Sequence, residues 1–426
     1  MIIMDKNLYQ AYIDILREEL VPATGCTEPI AIAYASAKAR ALLGEMPEKV
    51  DLQVSANIIK NVKSVVVPNT GGLRGIAEAS AAGIAAGDAD AELEVISAIT
   101  DEGRAAIREY MKSAEITVEG SDSDFIFDII VTARKGDHCA RCRIAGFHTN
   151  IIRLEKDGEI ILDVPYAEQG ESHAVDRGLL SVENIVAFAD TLNVADVHDV
   201  LARQIKYNMA IAEAGLTGDY GARIGRVLLD SFGDSVQNRA KAWAAAGSDA
   251  RMNGCSMPVI INSGSGNQGI TASVPVIIYA QDMNASEELL YRALAVSNLT
   301  TIHLKTGIGR LSAYCGAISA GCGAAAGIAY LHGGKVDQIA HTLVNAVAIN
   351  SGVICDGAKS SCAAKIASAV DAGLLGLHMY KNGSQFYGGD GIVTKGVENT
   401  IVNVGRLARK GMAGTDKEII DIMISC

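Results

Sequence analysis

Four cysteines stand in glycine-rich, apolar surroundings: Cys315 and Cys322 in SAYCGAISAGCGAAAGI, and Cys355 and Cys362 in SGVICDGAKSSCAAK. Each pair is spaced by seven, which puts both members on roughly one face if the segment is helical. The glycines beside Cys315 and Cys355 place those two in loops that lead into helices instead. A cysteine just before a helix has backbone N–H donors within reach, and these lower a thiolate pKa and bond to the sulfurs of an iron–sulfur cluster. Ligation of such a cluster is the chemistry these residues offer. The competing reading at any single position is a packing cysteine, because free Cys is among the most buried residue types. The spacing matches none of the compact ferredoxin patterns, so the cysteines alone leave both readings open.

Three further motifs carry polar chemistry. In INSGSGNQGI, glycines and small hydroxyls let successive N–H groups converge on an anion. No GxxxxGK[ST] phosphate fingerprint accompanies it, so a carboxylate fits better than a nucleotide. Asn262, Ser263, Ser265, Asn267 and Gln268 are the candidates to hold an amino-acid carboxylate and ammonium. PNTGGLRGI offers a second loop with Asn69, Thr70 and the N–H groups of Gly71 and Gly72, with Arg74 as a charge partner. The alternative for both loops is a tight turn that needs glycine at positive φ. In GCTEP, Glu28 lies two residues after Cys26 and can take part in proton transfer, and a Cys26 held as thiolate can act as a base.

The other reactive residue types read as structural. Cys322 lies within a small-residue helix and, like Cys255, is assigned to packing. Cys139 and Cys142 form CARC, half of a zinc pattern with no second half nearby, and belong on a strand. His303, His332 and His341 have no metal-like spacing. Lys359, between Cys355 and Cys362, can neutralise cluster charge or remain solvated. No Schiff-base lysine with a phosphate cup is recognisable.

GCTEP, PNTGGLRGI and INSGSGNQGI, in this order and together with the cysteines, resemble the L-cysteine desulfidase family, related to the α chain of the iron–sulfur L-serine dehydratases. The resemblance runs nearly the full length of the chain. It implies a [4Fe–4S] cluster held by three cysteines, here Cys315, Cys355 and Cys362, with one iron left for substrate. It marks Cys26 as essential, either as a ligand or as a reactive thiol near that iron. It implies β-elimination of L-cysteine to hydrogen sulfide, ammonia and pyruvate, with L-serine dehydration as the alternative, and a homodimer. In the related dehydratases a C-terminal cysteine can occupy the open iron, a role that would fall to Cys426.

The elements that position these residues can be read from periodicity. Apolar spacing predicts a helix over residues 5–20, ended by a loop from Pro22 to Pro29. From Asp51 the texture becomes short and β-branched, in DLQVSANI, EITVEG, DFIFDIIVTA, HCARCRIAG, TNIIRLEK and EIILDV, with helices at about 76–87 and 101–114 between the first strand and the later ones. Beyond Val182 long helical patterns return. The expected fold is α+β: a mostly helical main domain of residues 1–46 and 170–426, with an inserted α+β domain of residues 47–169 that contains a strand meander. The two uncharged stretches 252–281 and 311–334 hold too much Gly, Ser, Asn and Ala for membrane spans and read as closely packed interior.

Composition narrows the function classes. Lys plus Arg total 37 against 49 acids, a net charge of −12, which offers no broad positive surface to nucleic acid or anionic lipid. Nine cysteines in an acidic chain of 426 residues point to a reducing cytoplasmic setting and to metal or redox chemistry, since a chain of this length is held by its core. The expected partner is a small amino-acid substrate.

Overall fold

The computed structural model describes residues 4–123, 125–165, 175–309 and 311–425. The chain opens with α1 (Lys6–Glu19), a three-residue strand β1 (Pro22–Thr24) and α2 (Thr27–Leu43). A sheet-forming stretch follows: β2 (Lys49–Val54), α3 (Ala56–Val62), α4 (Ile76–Ala86), α5 (Asp101–Ser113), β3 (Glu115–Gly120), β4 (Asp128–Lys135), β5 (His138–Ala145), β6 (Ile151–Lys156) and β7 (Glu159–Asp163). The rest is helical apart from one short strand: α6 (Val182–Thr191), α7 (His198–Thr217), α8 (Ile224–Phe232), α9 (Val236–Met252), β8 (Pro258–Ile260), α10 (Gly266–Asp282), α11 (Glu287–Ile308), α12 (Gly316–Leu331), α13 (Val336–Ile349), α14 (Cys362–Lys381), α15 (Val397–Arg406) and α16 (Ala413–Ser425). The expected α+β class, mostly helical with a strand meander, is the class observed.

The six-stranded sheet has the order β3-β2-β4-β5-β6-β7. From β4 to β7 each strand pairs antiparallel with the next, the arrangement that short hairpin turns dictate. β2 pairs antiparallel with β4 and parallel with β3, because the α3–α5 segment carries the chain across between them. DLQVSANI is not one strand: it ends at Val54, and Ser55 precedes α3. Alternate residues of β2, Val50, Leu52 and Val54, are buried, as a half-covered sheet requires. Cys139 and Cys142 lie on β5, as expected.

Two hydrophobic cores result. One joins the inner face of the sheet to α2, α4 and α5 through Ile30, Ile32, Leu52, Ile84, Ile107, Val131 and Ile144, so α2 packs with the strands. The other lies among the helices, where α12 is enclosed by α10, α11, α13 and α14. Small residues permit that enclosure: a Cβ at Gly323 would stand 2.1 Å from Thr301 Oγ1, so α11 and α12 meet backbone to backbone. Among the described residues no helix is long and apolar enough to cross a membrane.

Candidate active site

A short ribbon brings distant motifs together. β1 pairs antiparallel with β8, matching Thr24 to Pro258 and Pro22 to Ile260. GCTEP leaves one strand as INSGSGNQGI leaves the other, and the Thr27 hydroxyl donates to the Gly264 carbonyl at 3.0 Å. Cys26 thereby becomes the N-cap of α2, a helix start rather than the middle of a loop, and is 3% exposed. Gly25 turns the chain with φ +65°, and a Cβ there would lie 2.0 Å from Pro68 Cγ. The PNTGGLRGI loop thus serves as a wedge under the Cys26 turn.

A second pairing aligns the remaining cysteines. The Cys355 N–H donates to Ala313 O at 2.6 Å and the Cys315 N–H to Val353 O at 3.1 Å, around an antiparallel bridge between Tyr314 and Ile354. Cys315 is the N-cap of α12 and Cys362 the first residue of α14, so both stand at helix N-termini, and Cys355 stays in a loop. Cys26, Glu28, Ser265, Asn267, Gln268, Cys315, Cys355 and Cys362 then line one cavity of about 110 Å³.

The hydrogen bonds give each group a character. Cys26 Sγ donates to Glu28 Oε2 at 3.0 Å, while Glu28 Oε1 accepts from Asn61 Nδ2 at 3.2 Å. Burial first, then the neighbouring Glu28 charge, push the Cys26 thiol well above its ordinary value, against the pull of Arg251. This geometry favours the thiol over the thiolate at Cys26, with the Glu28 carboxylate as the acceptor of its hydrogen bond. The Cys315 thiol donates to Cys355 sulfur, which raises Cys315 and, helped by the Lys60 and Lys305 charges, lowers Cys355 despite burial. Burial raises Cys362, opposed by the Lys359 N–H and the Lys359 and Lys365 charges.

A backbone N–H opposes the rise, or favours the thiolate, at each of these three sulfurs: Ala317 at Cys315, Gly357 at Cys355 and Lys359 at Cys362. Thiolate ligands of an iron–sulfur cluster require that service, and the buried Lys60 and Lys305 supply positive charge beside them. Among the described residues no three Cys, His, Asp or Glu side chains converge as ligands of a single ion do. Three cysteines beside backbone N–H groups and buried lysines have the chemistry that an iron–sulfur cluster requires of its ligands.

Not every expected residue reaches the cavity. Asn262 is fully buried and its Nδ2 donates to Asn298 Oδ1 at 3.0 Å, while Ser263 Oγ donates to Asn262 Oδ1. Asn69 Nδ2 donates to Ile96 O, and the Thr70 hydroxyl donates to Val67 O at 2.7 Å and accepts the Leu73 N–H. With positive φ at Asn69, Gly71 and Gly72, that loop is a tight turn whose polar groups serve the turn itself. Arg74 donates to Ser64 O, and Lys359 pairs with Asp356 at 2.6 Å. Cys255 and Cys322 are buried, and His303 pairs with Glu398 at 2.7 Å. Cys426 lies outside the described residues.

Arg251, Lys60, Asn61 and Lys305 line the same cavity and belong to no motif, and Tyr314, beside Cys315 in SAYCGAISAGCGAAAGI, lines it too. The available signal was a cation inside an otherwise small-residue run, AAAGSDARM, where a buried Arg must face something polar. Four polar atoms at the cavity are buried without a hydrogen-bond partner: Arg251 Nε, Asn267 Oδ1, Gln268 Oε1 and Tyr314 OH. Orphaned groups of this kind mark a place where a polar ligand belongs.

Comparison with known proteins places the chain among relatives. The family model described as serine dehydratase alpha chain matches residues 90–421. A UPF0597 protein of Desulfitobacterium hafniense is 61% identical over 417 residues, covering 98% of this chain and 97% of the relative. Others, from Lachnoclostridium phytofermentans and Treponema denticola, are 49% and 46% identical, with 98% and 99% of this chain and 100% and 99% of the relatives covered.

Proposed function

The chain belongs to the serine dehydratase alpha chain family and is a relative of the UPF0597 proteins, and from that premise we propose that it is an iron–sulfur lyase acting on L-cysteine. The observation that carries this reading is the convergence of Cys26, Cys315, Cys355 and Cys362 with Glu28 and the start of α10 on one cavity. Cys315, Cys355 and Cys362 would hold a [4Fe–4S] cluster, which when bound would supply Lewis-acid polarisation of the bond to the β-substituent.

The chain's own groups do the rest. Ser265, Asn267 and Gln268 seat the amino-acid head group. Glu28, oriented by Cys26 and Asn61, takes the α-proton as the C–S bond breaks. The Cys26 thiol, kept protonated by burial and by Glu28, returns a proton to the departing sulfide, so base and acid have environments that set their roles apart. Aminoacrylate leaves, tautomerises to an imine and hydrolyses. L-cysteine and water thus yield hydrogen sulfide, ammonia and pyruvate.

L-serine is the second reading, favoured by the family's description, with hydroxide as the leaving group and the same residues in the same roles. Sulfide release from L-cysteine and pyruvate release from L-serine, compared as kcat/KM on anaerobically reconstituted protein, decide between them. A higher value for cysteine supports the proposal. A higher value for serine reassigns the substrate, and no product from either overturns the lyase reading. The resemblance also proposes a homodimer, checked by analytical ultracentrifugation. A reducing cytoplasmic setting is part of the proposal, and among the described residues eight cysteines are free thiols.

A further inference from the structure

Arg251 sits in the last turn of α9, is 3% exposed and lines the cavity beside Cys26, Ser265, Asn267 and Gln268. Among the described residues it has no ion-pair partner, and its Nε is buried without a hydrogen bond. A buried cation with no counter-charge is strongly unfavourable unless a ligand supplies one. Among the described residues the one carboxylate lining the cavity, Glu28, is already engaged by Cys26, Thr27 and Asn61.

The charges that act on the cavity thiols divide between Arg251, which acts on Cys26, and Lys60 and Lys305, which act on Cys355. The guanidinium lies against the start of α10: a Cβ at Gly266 would be 2.3 Å from Arg251 Nε. Ser265, the N-cap, makes no side-chain cap, so the first N–H groups of this helix of 17 residues remain available there. Asn267 Oδ1 and Gln268 Oε1 are unpartnered acceptors on the same turn.

We propose that Arg251, with the N–H groups at the start of α10, binds the α-carboxylate of the substrate, while the Asn267 and Gln268 side-chain oxygens accept its ammonium. This deepens the lyase reading and rests on it for the identity of the ligand as an amino acid. The site then selects α-amino acids over amines that carry the same leaving group, and Arg251 acts in binding rather than in proton transfer.

The test uses reconstituted wild type, Arg251→Gln and Arg251→Lys, with L-alanine and ethylamine as probes that bear no leaving group. In Arg251→Gln the KM for substrate and the Kd for L-alanine, measured by calorimetry, should rise about 10- to 100-fold. Iron content should stay at the wild-type level, ethylamine binding should not change, and Arg251→Lys should recover part of the loss. Unchanged L-alanine affinity overturns the proposal, and so does loss of iron, which would assign Arg251 to the cluster. If Arg251→Gln does not fold, Gly266→Ala, which forces the guanidinium aside, must weaken L-alanine in the same way, and normal affinity there overturns the proposal. L-alanine binding that depends on Arg251 in a wild-type protein lacking turnover would sink the lyase reading and leave this one standing.

Discussion

Cys26 and the three clustered cysteines share a cavity but differ in what faces them. Cys315, Cys355 and Cys362 lie close enough to act on one another's charge, whereas Cys26 donates to a carboxylate that favours keeping its proton in place. A thiol hydrogen-bonded to an anion is a poor metal ligand, since ligation requires the thiolate. Replacing Cys315, Cys355 or Cys362 by Ala should therefore lower the iron content of anaerobically reconstituted protein steeply. Cys26→Ala should keep its iron and visible absorbance while turnover falls by roughly 10²–10⁴. A Cys26→Ala protein as iron-poor as the other three would make Cys26 a ligand and leave Glu28 to act alone. At this scale the sequence was informative where residues cluster: the cysteines, Glu28 and the SGSGNQ turn were all visible as motifs. Arg251, Lys60 and Lys305 were not, because each is isolated along the chain and acquires meaning only from the cavity it enters.

Elements with one buried face were legible by their period, whereas of those buried all round α12 showed only as a small-residue run and α9 not at all. The spacing of Leu16, Tyr12 and Ile13 marks α1, and alternation marks the β4–β7 meander, because one side of each meets water and leaves a period. α9, rich in Ala and with most of its second half buried, shows no such period and escaped the reading, as did the three-residue ribbon of β1 and β8 that positions the whole site. One consequence lies at the end of α9, where fully buried Asp249 accepts the Ile224 N–H at 2.6 Å and closes the start of α8. Burial pushes its carboxyl up to about 6 against the pull of the Ile224, Ala222 and Gly225 N–H groups. The folded state then holds this proton more tightly than the unfolded chain, whose carboxyl titrates near 3.8. Stability contributed by the protonated acid is full below that value and is lost as pH rises through about 6. Denaturant unfolding of wild type and Asp249→Asn should accordingly differ between about pH 4 and 6, with wild type losing stability relative to the variant as pH rises; parallel curves would show that the carboxyl titrates alike in both states.

Across the whole molecule the cavity lies at the seam between the two cores. Cys26 belongs to the sheet-side core and Cys362 packs against it, whereas Cys315 belongs to the helical core and Cys355 packs on that side. Leu311 and Ala358, from the two loops that carry Cys315 and Cys355, also pack on the sheet side. Lys60, at 2% exposure, extends the seam by pairing with Asp416 on α16 while it lines the cavity, so the C-terminal helix is tied to the same junction. A cluster bound by Cys315, Cys355 and Cys362 would cross-link the segment 311–316 to the segment 351–362 and hold both against the sheet-side core. Ligands that bind only the folded state add their binding free energy to its stability, and the gain is felt first by the segments they tie down. Lys359, in the second segment and partly exposed, is a trypsin site that reports on this directly. Anaerobically reconstituted protein should resist cleavage after Lys359 and show a raised Tm, and chelation or exposure to air should expose that bond and lower Tm, since an iron open to substrate is open to oxidants as well. Equal cleavage rates with and without iron would mean that the three cysteines do not bridge the two loops, and the cluster would then have to be sought elsewhere in the chain.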